Sequence, residues 1–532
     1  MTYSSHPPPD ADAAPGRLTR PRAALAGVAA AAAALGTSEL LAGSSARIPS
    51  LVLGVADLVI QETPGDVVRW SIETLGSNQK AVLVAGIVAA SLALGAALGI
   101  AARHRFGAAA AGFAAFGVLG GWATARTAAN SSGWGWGTAA MSATTGIAAL
   151  WIALQSARAG SAAPASTPTS SAGGRPVDRR RFLATTAAVA TWGALGGGVG
   201  RWLRQSRNVD AARERIAARL GSRPPQLPDN LTVFDAQVAG ISPIVTPNAD
   251  FYRIDTRILV PQVDPDGWSL RVTGMVDQDI ELDFDELLAM EQISEYVTLQ
   301  CVSNEVGGDL VGNALWSGVP LRDLLDRAGV APAATQVVGR AVDGWTAGFP
   351  RDVVDDGRPA MVAVTMNGEP LAAKHGFPAR LIVPGLYGYV SATKWLSEIE
   401  LTTWDSFDGY WIERGWSKEG PIKTQSRIDV PRPRSSIPAG STPIAGVAWA
   451  PTRAIDRVEV RVDDGPWQTA RLSGALSAHS WVQWTLTWDA TPGSHRLQVR
   501  ATDGDGSTQT SQVTQPEPSG ATGHHTITVE VN

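Results

Sequence analysis

The chain has 532 residues, with 44 Lys and Arg against 49 Asp and Glu, giving a formal net charge of -5 and a pI near 5.9. This balance argues against a nucleic-acid binder that relies on general basicity. Only 17% of the residues are charged, and Cys301 is the single cysteine, so an intramolecular disulfide and zinc or iron–sulfur sites built from several thiolates are excluded.

The N-terminal part of the chain is dominated by apolar stretches. Residues 1–21 are rich in Pro and Ala and are predicted to form a disordered tail. The region 22–200 holds five stretches that are each long enough to cross a bilayer core of about 30 Å as a helix. We predict these helices at 22–43, 81–102, 107–125, 135–156 and 182–200. The apolar segment 48–60 is too short to span a membrane and is predicted to lie at the interface.

Positive charge predicts the orientation of this membrane region. With the N-terminus inside, the inner segments carry ten arginines and the outer loops carry four basic residues, which is the bias typical of cytoplasmic loops. The inner set is Arg17, Arg20, Arg22, Arg103, Arg105, Arg158, Arg175, Arg179, Arg180 and Arg181, and the outer set is Arg47, Arg69, Lys80 and Arg126. We therefore predict a multi-pass protein of the cell membrane with a cytoplasmic N-terminus and everything after about residue 201 outside.

Two short motifs in the membrane region each allow two interpretations. Residues 178–183 read DRRRFL directly before the fifth stretch, which resembles a twin-arginine export signal placed inside the chain. Ordinary positive-inside charge explains the same residues. Gly95 and Gly99 form a GxxxG motif, which indicates close helix packing, although an Ala- and Gly-rich composition alone would also produce it.

The rest of the chain is predicted to be connectors and two folded parts. A Ser-, Ala- and Pro-rich linker at 157–181 precedes the fifth helix, and a second connector at 201–250 follows it. From 435 to 532 apolar and polar residues alternate with period two, and Asp-Gly turns separate the runs. This pattern predicts an Ig-like β-sandwich.

Residues 251–430 show mixed signals. Asp283 and Glu286 have the spacing of a capping box, so a helix is predicted to begin there. A second helix, in PLRDLLDRAG, is predicted to end at Gly329, and MVAVTM and ARLIVPG are typical of strands. This part is therefore predicted to be an α+β domain.

Several chemistries are excluded by absent motifs. The sequence has no HExxH, GxSxG or Walker loop. Its histidines are His6, His104, His375, His479, His495, His524 and His525. Only His104 is near the predicted membrane helices, at a cytoplasmic edge, so a haem held by two histidines inside the bundle is excluded, and CxxCH is absent.

The strongest positive signal surrounds Cys301, in YVTLQCVSNEVGGDLVGNALWSGVPL. A lone cysteine is more often a small buried hydrophobe than a ligand. Here a β-type run precedes it and a Gly-containing loop follows, an arrangement that would expose a thiolate at the end of a strand. A soft thiolate suits a heavy transition metal.

These residues resemble the sulfite-oxidase-type molybdenum-cofactor oxidoreductases, over about 230–532. The block around Cys301 is similar to the family's metal-cysteine block, and FYRID at 251–255 to its Phe-x-Arg-Asn-His segment. MNGEPLAAKHGFPARLIVPGLYG at 366–388 and the following TKWL are similar to its cofactor block. The resemblance implies an α+β sulfite-oxidase-type molybdopterin domain and an Ig-like sandwich that matches the family's dimerisation domain. Both follow the N-terminal transmembrane helical bundle that the apolar stretches predict.

The resemblance also implies the site. Cys301 corresponds to the thiolate that binds molybdenum, beside a pterin dithiolene and oxygen ligands, and Arg253 to an active-site arginine. The residues that it implies for holding the molybdopterin are His375, Arg380, Lys394 and Asn304. Positive side chains suit the cofactor's phosphate.

The sequence departs from the family pattern at several positions. Glu305 stands where sulfite oxidases have an arginine that helps to bind the anion, and an acid there is expected to disfavour sulfite. Ile254 and Asp255 replace the family's Asn-His pair. The catalytic tyrosine is expected near Tyr410 and Trp416.

The sequence therefore predicts a membrane-anchored, extracytoplasmic molybdenum oxidoreductase that transfers an oxygen atom to or from a small substrate, with molybdenum cycling between its IV and VI states. The predicted partners are membrane lipid and a separate electron carrier such as a cytochrome or a quinone, and no nucleic acid. A homodimer is implied by the family, although QPEPSGATGHH at 515–525 replaces the Trp-Asn motif of its dimerisation domain.

Three alternatives stay open at this point. The first is a periplasmic-type reductase of S-oxides or N-oxides, such as methionine sulfoxide. The second is a non-catalytic membrane receptor with a degenerate enzyme fold. The third is transport by the five helices, among which Glu39 is the main ionisable residue.

Overall fold

The apolar N-terminal stretches form helices and the alternating C-terminal stretches form strands in the computed structural model of the chain. The structure describes residues 18–45, 48–64, 67, 70–71, 74–75, 78–127, 132–158, 176–206, 208–221 and 224–532. Most of the predicted tail 1–21 and of the linker 157–181 therefore lies outside the described residues. The chain divides into two compact units, Met1–Asn208 and Val209–Asn532.

Among the described residues of the first unit, six helices have defined bounds. They are α1 (Arg20–Ser44), α2 (Leu51–Glu62), α3 (Gln79–Ala101), α4 (Phe106–Thr127), α5 (Ser132–Arg158) and α6 (Pro176–Ser206). All but α2 are long and apolar enough to cross a membrane, which confirms the five predicted helical stretches. Helix α2 has 12 residues and a length of about 18 Å, too short for a crossing.

Glycines set the closest helix contacts of this unit. A Cβ added at Gly27 on α1 would lie 2.0 Å from the carbonyl oxygen of Gly95 on α3, and one added at Gly99 would lie 2.1 Å from the carbonyl oxygen of Ala23. Such distances are possible only without a side chain. The GxxxG motif of α3 therefore serves close packing against α1.

A partly buried ion pair joins α1 to α6. Glu39 accepts a hydrogen bond from Arg204, and the Ser50 hydroxyl at the start of α2 donates to the same carboxylate. Close glycine contacts flank the pair, because a Cβ at Gly200 would lie 2.1 Å from the carbonyl oxygen of Glu39. The acid on which the transport hypothesis rests is thus charge-paired inside the fold.

The described part of the second unit contains 19 strands and five short α-helices. The helices are α7 (Asp210–Leu220), α8 (Phe284–Ala289), α9 (Leu321–Ala328), α10 (Asp352–Asp355) and α11 (Gly388–Ser391). The strands before the sandwich are β1 (Ser269–Gly274), β2 (Ile280–Asp283), β3 (Ile293–Gln300), β4 (Val311–Pro320), β5 (Gln336–Ala341), β6 (Thr346–Pro350), β7 (Met361–Met366), β8 (Glu369–Pro370), β9 (Arg380–Ile382) and β10 (Leu396–Thr402). Two sheets hold them, in the orders β2-β1-β10-β5-β6 and β3-β4-β7-β8, with β9 paired to β7.

The predicted helix boundaries in this part are confirmed. Asp283 and Glu286 form a complete capping box at the start of α8. Helix α9 ends at Gly329, whose φ of 72° lies in the left-handed region that favours glycine.

The predicted C-terminal sandwich is confirmed as two sheets on one core. Its strands are β11 (Gln425–Val430), β12 (Ser436–Ile437), β13 (Gly440–Trp449), β14 (Ile455–Val462), β15 (Gln468–Thr469), β16 (Arg471–Leu472), β17 (Val482–Ala490), β18 (Gly493–Asp503) and β19 (His525–Val531). The sheet orders are β11-β13-β17-β16 and β12-β19-β18-β14-β15. Alternate residues of both sheets, including Ile444, Trp484, Val460 and Val499, pack together between them. The Ig-like label stays a prediction.

The predicted connector 201–250 contains packed structure. Helix α7 contributes Ala212 and Ile216 to the main core of the second unit. Phe234 is fully buried against Ala445 of the sandwich. From Val209 onward the chain is therefore part of the second unit rather than a free spacer.

The glycine contact between α1 and α3 gives a first prediction. Gly95→Ala places a methyl group 2.5 Å from the Ala31 Cβ, so the detergent-solubilised protein is expected to lose about 1–3 kcal/mol of stability. Gly86→Ala on the same helix is the control, because a Cβ there meets nothing within 4 Å among the described residues. Thermal unfolding followed by tryptophan fluorescence measures both. An unchanged melting temperature for Gly95→Ala would contradict the packing argument.

Candidate active site

A cleft in the second unit collects most of the predicted site residues. Cys301, Arg253, His375, Arg380 and Lys394 all line it. These positions are up to 141 residues apart in the sequence, and the fold alone brings them together. The cleft encloses about 930 Å³ of space between its walls, including the open solvent at its mouth.

Cys301 directly follows strand β3, whose last four residues are all buried, at the point where the strand gives way to a loop. Its backbone N–H donates to the Leu310 carbonyl at 2.9 Å, which closes the loop 301–310 on itself. The Sγ atom lies 3.3 Å from the Ser303 hydroxyl. Burial raises the pKa of the Cys301 thiol, because a thiolate is poorly solvated there. The thiol therefore keeps its proton until a cationic ligand displaces it.

Hydrogen bonds from the C-terminal sandwich hold the last residues of β3 in place. The Trp449 indole N–H donates to the Gln300 side-chain oxygen at 2.8 Å. The Trp481 backbone N–H donates to the Thr298 hydroxyl at 2.7 Å, and the Thr298 N–H donates to the His479 carbonyl at 3.0 Å. All these side-chain partners are buried, so losing one leaves an unpaired polar group at a cost of about 1–3 kcal/mol. The last residues before Cys301 are thereby held rigidly.

Asn304 stabilises the cysteine loop and does not line the cleft. Its side-chain oxygen accepts a hydrogen bond from the Leu310 N–H at 2.8 Å, and its own N–H donates to the Cys301 carbonyl at 3.0 Å. Arg427 of the sandwich donates to the Gly308 carbonyl of the same loop at 2.7 Å. Binding of the cofactor by Asn304 stays a prediction, whereas its contacts in this structure are with the loop backbone.

Three charged side chains form one cluster at the wall of the cleft. Arg253 donates to the Asp255 carboxylate at 2.6 Å, and Lys394 donates to the same carboxylate at 3.1 Å and to the Ile254 carbonyl at 3.0 Å. Asp255 is only 5% exposed. Burial lowers the pKa of Lys394 to about 8, although the neighbouring Asp255 opposes the shift. The Asp255 that departs from the family pattern thus orients both predicted cations.

His375 and Arg380 lie deeper in the same wall. Burial lowers the pKa of His375 to about 3, so its ring is neutral, and Nε2 lies 3.1 Å from the Asn248 carbonyl, to which it donates. Arg380 donates to the carbonyls of His375 and Ala392 at 3.1 and 3.3 Å. Burial lowers its pKa to about 10, so it stays charged.

Some lining residues were not predicted from the sequence. Tyr252 stands inside the quoted FYRID segment, and burial raises the pKa of its hydroxyl, with the nearby Cys301 as a further cause. Asp343 lines the cleft and lies 3.5 Å from Arg257, and burial raises the pKa of its carboxyl group. The FYRID match was the available signal for Tyr252, whereas Asp343 reaches the cleft only through the fold.

Two sequence expectations change with the geometry. Tyr410 does not line the cleft, whereas Trp416 does. The tyrosines that line it are Tyr252 and Tyr389, and the Tyr389 hydroxyl donates to the Ser417 carbonyl. Glu305 is exposed and does not line the cleft. Water screens the charge of Glu305. The expectation that Glu305 disfavours an anionic substrate is therefore no longer supported.

The lining residues fit an anionic cofactor with a metal. The Arg380 Nε is buried and has no hydrogen-bond partner among the described residues, so a buried cationic donor is left for a ligand. Lys394 and Arg253 add positive charge on the same side, and the Cys301 sulfur supplies a soft metal ligand. A phosphate-bearing group that carries a thiophilic metal matches this donor set.

Comparisons with known proteins agree with this chemistry. The sequence profile described as "Oxidoreductase molybdopterin binding domain" matches residues 257–411. The chain is 30% identical over 302 residues to "Sulfite oxidase, mitochondrial" of Homo sapiens, covering 48% of this chain and 55% of the human protein. It is 35% identical over 155 residues to "Uncharacterized oxidoreductase YuiH" of Bacillus subtilis, covering 29% of this chain and 74% of that protein. The chain thus spans about half the length of the sulfite oxidases that it matches.

A solved structure is also similar. The sulfane dehydrogenase SoxCD from Paracoccus pantotrophus superposes with a TM-score of 0.45 at 23% identity, over 56% of this chain and 82% of that one.

The charge cluster gives a second prediction. Lys394, with its pKa at about 8, is positive below that pH and neutral above it. Sulfate, which does not titrate in this range, is therefore expected to bind the cofactor-free protein about tenfold more weakly at about pH 9 than at about pH 7. Isothermal titration calorimetry on wild type and Lys394→Gln measures it. The variant should bind weakly at both pH values, and Lys418→Gln, outside the cleft, should behave like wild type. If sulfate binding to Lys394→Gln depended on pH as strongly as binding to wild type, Lys394 would be excluded as the group that causes the pH dependence.

Proposed function

Because the chain belongs to the sulfite-oxidase-type molybdopterin-dependent oxidoreductases, we propose that it is a membrane-anchored, extracytoplasmic member that transfers an oxygen atom to or from a small substrate at the cleft around Cys301. The observation that carries this proposal is the convergence in one cleft of a buried thiol, a buried guanidinium whose Nε has no partner among the described residues, and the Arg253–Asp255–Lys394 cluster.

The cofactor's role is chemical, and the chain supplies binding and positioning. The molybdenum cofactor, when bound, supplies two-electron oxygen-atom transfer. Cys301 Sγ would be the metal ligand and would give up its proton on binding. Arg380 and Lys394 would hold the phosphate through charge-assisted hydrogen bonds. His375 is neutral and its Nε2 is used by Asn248, so its Nδ1 is left to accept a hydrogen bond from a pterin N–H.

Arg253 is the substrate-orienting residue of this proposal. Its Nε and one terminal nitrogen are held by Asp255, which fixes the guanidinium plane. The side chain is 34% exposed and lines the cleft. A fixed cation at the open side of the cleft favours an oxyanion or the oxygen of an S-oxide, because its hydrogen bonds need no reorganisation during the reaction.

The walls of the cleft favour a second candidate substrate. Trp345, Trp411, Trp416 and Tyr389 line it together with the polar residues. Sulfite has no apolar part for such walls to bind. The aromatic lining therefore supports a substrate with an apolar group, as in an S-oxide or N-oxide reductase, beside the sulfite activity that the name of the human relative suggests.

The first unit supports the membrane part of the proposal. Five helices have the length and composition of membrane spans, and the arginine bias of the connecting segments places the N-terminus in the cytoplasm. An odd number of crossings then carries the second unit to the opposite side. The twin-arginine segment and the homodimer stay predictions. The sequence lacks the cysteines for an iron–sulfur cluster, so a separate electron carrier, a cytochrome or a quinone, is part of this proposal.

Metal and pterin analysis of the detergent-purified full-length protein tests the enzyme class. Wild type from a host that makes the cofactor is expected to contain about one molybdenum and one pterin per chain. Cys301→Ser should keep the pterin, which the other residues hold, and change the electron paramagnetic resonance of the metal. Glu305→Gln is the control, because Glu305 is exposed in the same loop. Folded wild type with neither metal nor pterin would overturn the proposal in favour of the receptor hypothesis.

The role of Arg253 is tested by substrate kinetics. Arg253→Gln is expected to lower kcat/KM by about 10²–10³, the usual effect of removing one preorganised donor, while metal and pterin contents stay at the wild-type level. Sulfite oxidation with a cytochrome acceptor and methionine sulfoxide reduction with a reduced dye are measured in parallel, and the faster reaction identifies the substrate class. Unchanged kcat/KM in the variant for both substrates would exclude this role.

A further inference from the structure

A second cavity lies inside the first unit, and residues of α1, α2, α3, α4 and α5 line it. It holds about 680 Å³ of space including its opening. Its lining is almost entirely aliphatic and aromatic, and the polar side chains in it are those of Ser38, Ser91 and Ser142. Phe113 and Phe116 of α4 supply aromatic rings to its wall.

The Ser142 hydroxyl is the unusual feature of this cavity. Ser142 is 5% exposed, and its Oγ has no hydrogen-bond partner among the described residues. Neighbouring hydroxyls on the same helix are satisfied, because Thr138 donates to the Trp134 carbonyl at 2.9 Å and Thr145 to the Met141 carbonyl at 2.9 Å. A buried hydroxyl without a partner is costly, most of all where lipid excludes water. Ser142 therefore marks a position for a ligand with a polar atom.

A second hydroxyl faces the same space. The Ser38 Oγ accepts from the Leu51 N–H at 3.3 Å, and a hydroxyl that accepts one hydrogen bond can still donate its proton. Ser91 is already used, since it donates to the Ile87 carbonyl at 2.7 Å. Two donor hydroxyls, two phenylalanine rings and aliphatic walls match a flat ring that carries carbonyl oxygens. A lipid acyl chain would match the apolar walls but would offer no acceptor to the hydroxyl protons of Ser142 and Ser38.

We propose that this cavity binds an isoprenoid quinone, whose carbonyl oxygens accept hydrogen bonds from Ser142 and Ser38. The identification of the ligand as a redox carrier rests on the proposed function, which requires a separate electron partner. Electrons and protons balance between the substrate and the quinone in either direction of the reaction. A substrate that gains an oxygen atom from water releases two electrons and two protons, and these convert the quinone to the quinol, whereas a reductase runs the same exchange in reverse.

Binding is tested on the full chain in nanodiscs of phosphatidylcholine and phosphatidylglycerol without added quinone. The probe is a 1,4-naphthoquinone with a four-isoprene tail, and a branched C20 hydrocarbon serves as the carbonyl-free comparison. Wild type is expected to bind the quinone saturably at about one per chain, and Ser142→Ala to need about fivefold more quinone for half-saturation, the usual effect of losing one hydrogen bond. Ser142→Leu fills the cavity and should abolish binding.

The matched control is Ser156→Ala on the same helix. Ser156 is buried and donates to the Ala153 carbonyl at 2.8 Å, away from the cavity, so quinone binding should stay at the wild-type level. Molybdenum content and a single size-exclusion peak show that each variant is folded. Saturable binding of the quinone to Ser142→Leu, or equal uptake of quinone and hydrocarbon by wild type, would overturn the proposal.

Cys301→Ser separates this inference from the proposed enzyme function. Quinone binding is expected to be the same in Cys301→Ser and in wild type, because Cys301 belongs to the other unit. A wild type that binds the quinone saturably but contains neither molybdenum nor pterin would contradict the proposed enzyme and leave the cavity assignment intact. Retained molybdenum with no saturable quinone binding would contradict the cavity assignment alone. In the wild type, the quinol should change the metal's paramagnetic resonance, and Ser142→Leu should block this change while a water-soluble reductant still produces it.

Discussion

The hydrogen-bonded contact between the end of β3 and the C-terminal sandwich is the constraint on which the site depends. Gln300 and Thr298 are polar residues in a buried strand, and each is satisfied by a tryptophan of the sandwich, Trp449 or Trp481. Because an unpaired buried polar group is costly, the strand can end in only one place. The position of Cys301, one residue later, follows from this contact. The sandwich therefore helps to position Cys301, although it contributes no predicted site residue itself.

Burial also controls the charges of the cleft. A buried cation is costly without a partner, and Asp255 is the partner that holds Arg253 and Lys394 in one place. Arg380 is treated differently, because its Nε stays unpaired among the described residues. The cleft thus keeps one buried donor unsatisfied while its neighbours are fixed, which is the arrangement expected of a site that binds an anion from outside. His375 stays neutral in the same environment. The cleft therefore offers a hydrogen-bond acceptor, the neutral His375 ring, beside its cationic side chains.

The first unit follows a different rule, since helices in lipid gain no hydrophobic energy from packing on each other. Glycines on α1, α3 and α6 allow backbone contact on one side of the bundle. The short helix α2 packs against α4, where a Cβ at Gly54 would lie 2.5 Å from the Thr124 side chain. Tight contacts on these faces and larger side chains elsewhere leave the apolar cavity beside Ser142.

The sequence by itself determined the elements and the chemistry, because both are written in local patterns. Apolar length located the five membrane helices, period two located the sandwich strands, and the residues around Cys301 indicated the cofactor family. Only the tertiary structure decided which of these residues meet. In the folded chain Glu305 and Tyr410 lie outside the cleft, and Asp343 lines it. The Asn304 side chain binds the backbone of the cysteine loop. The physical reason is that side-chain direction, burial and hydrogen-bond partners depend on contacts between residues far apart in the chain, which neither composition nor spacing encodes.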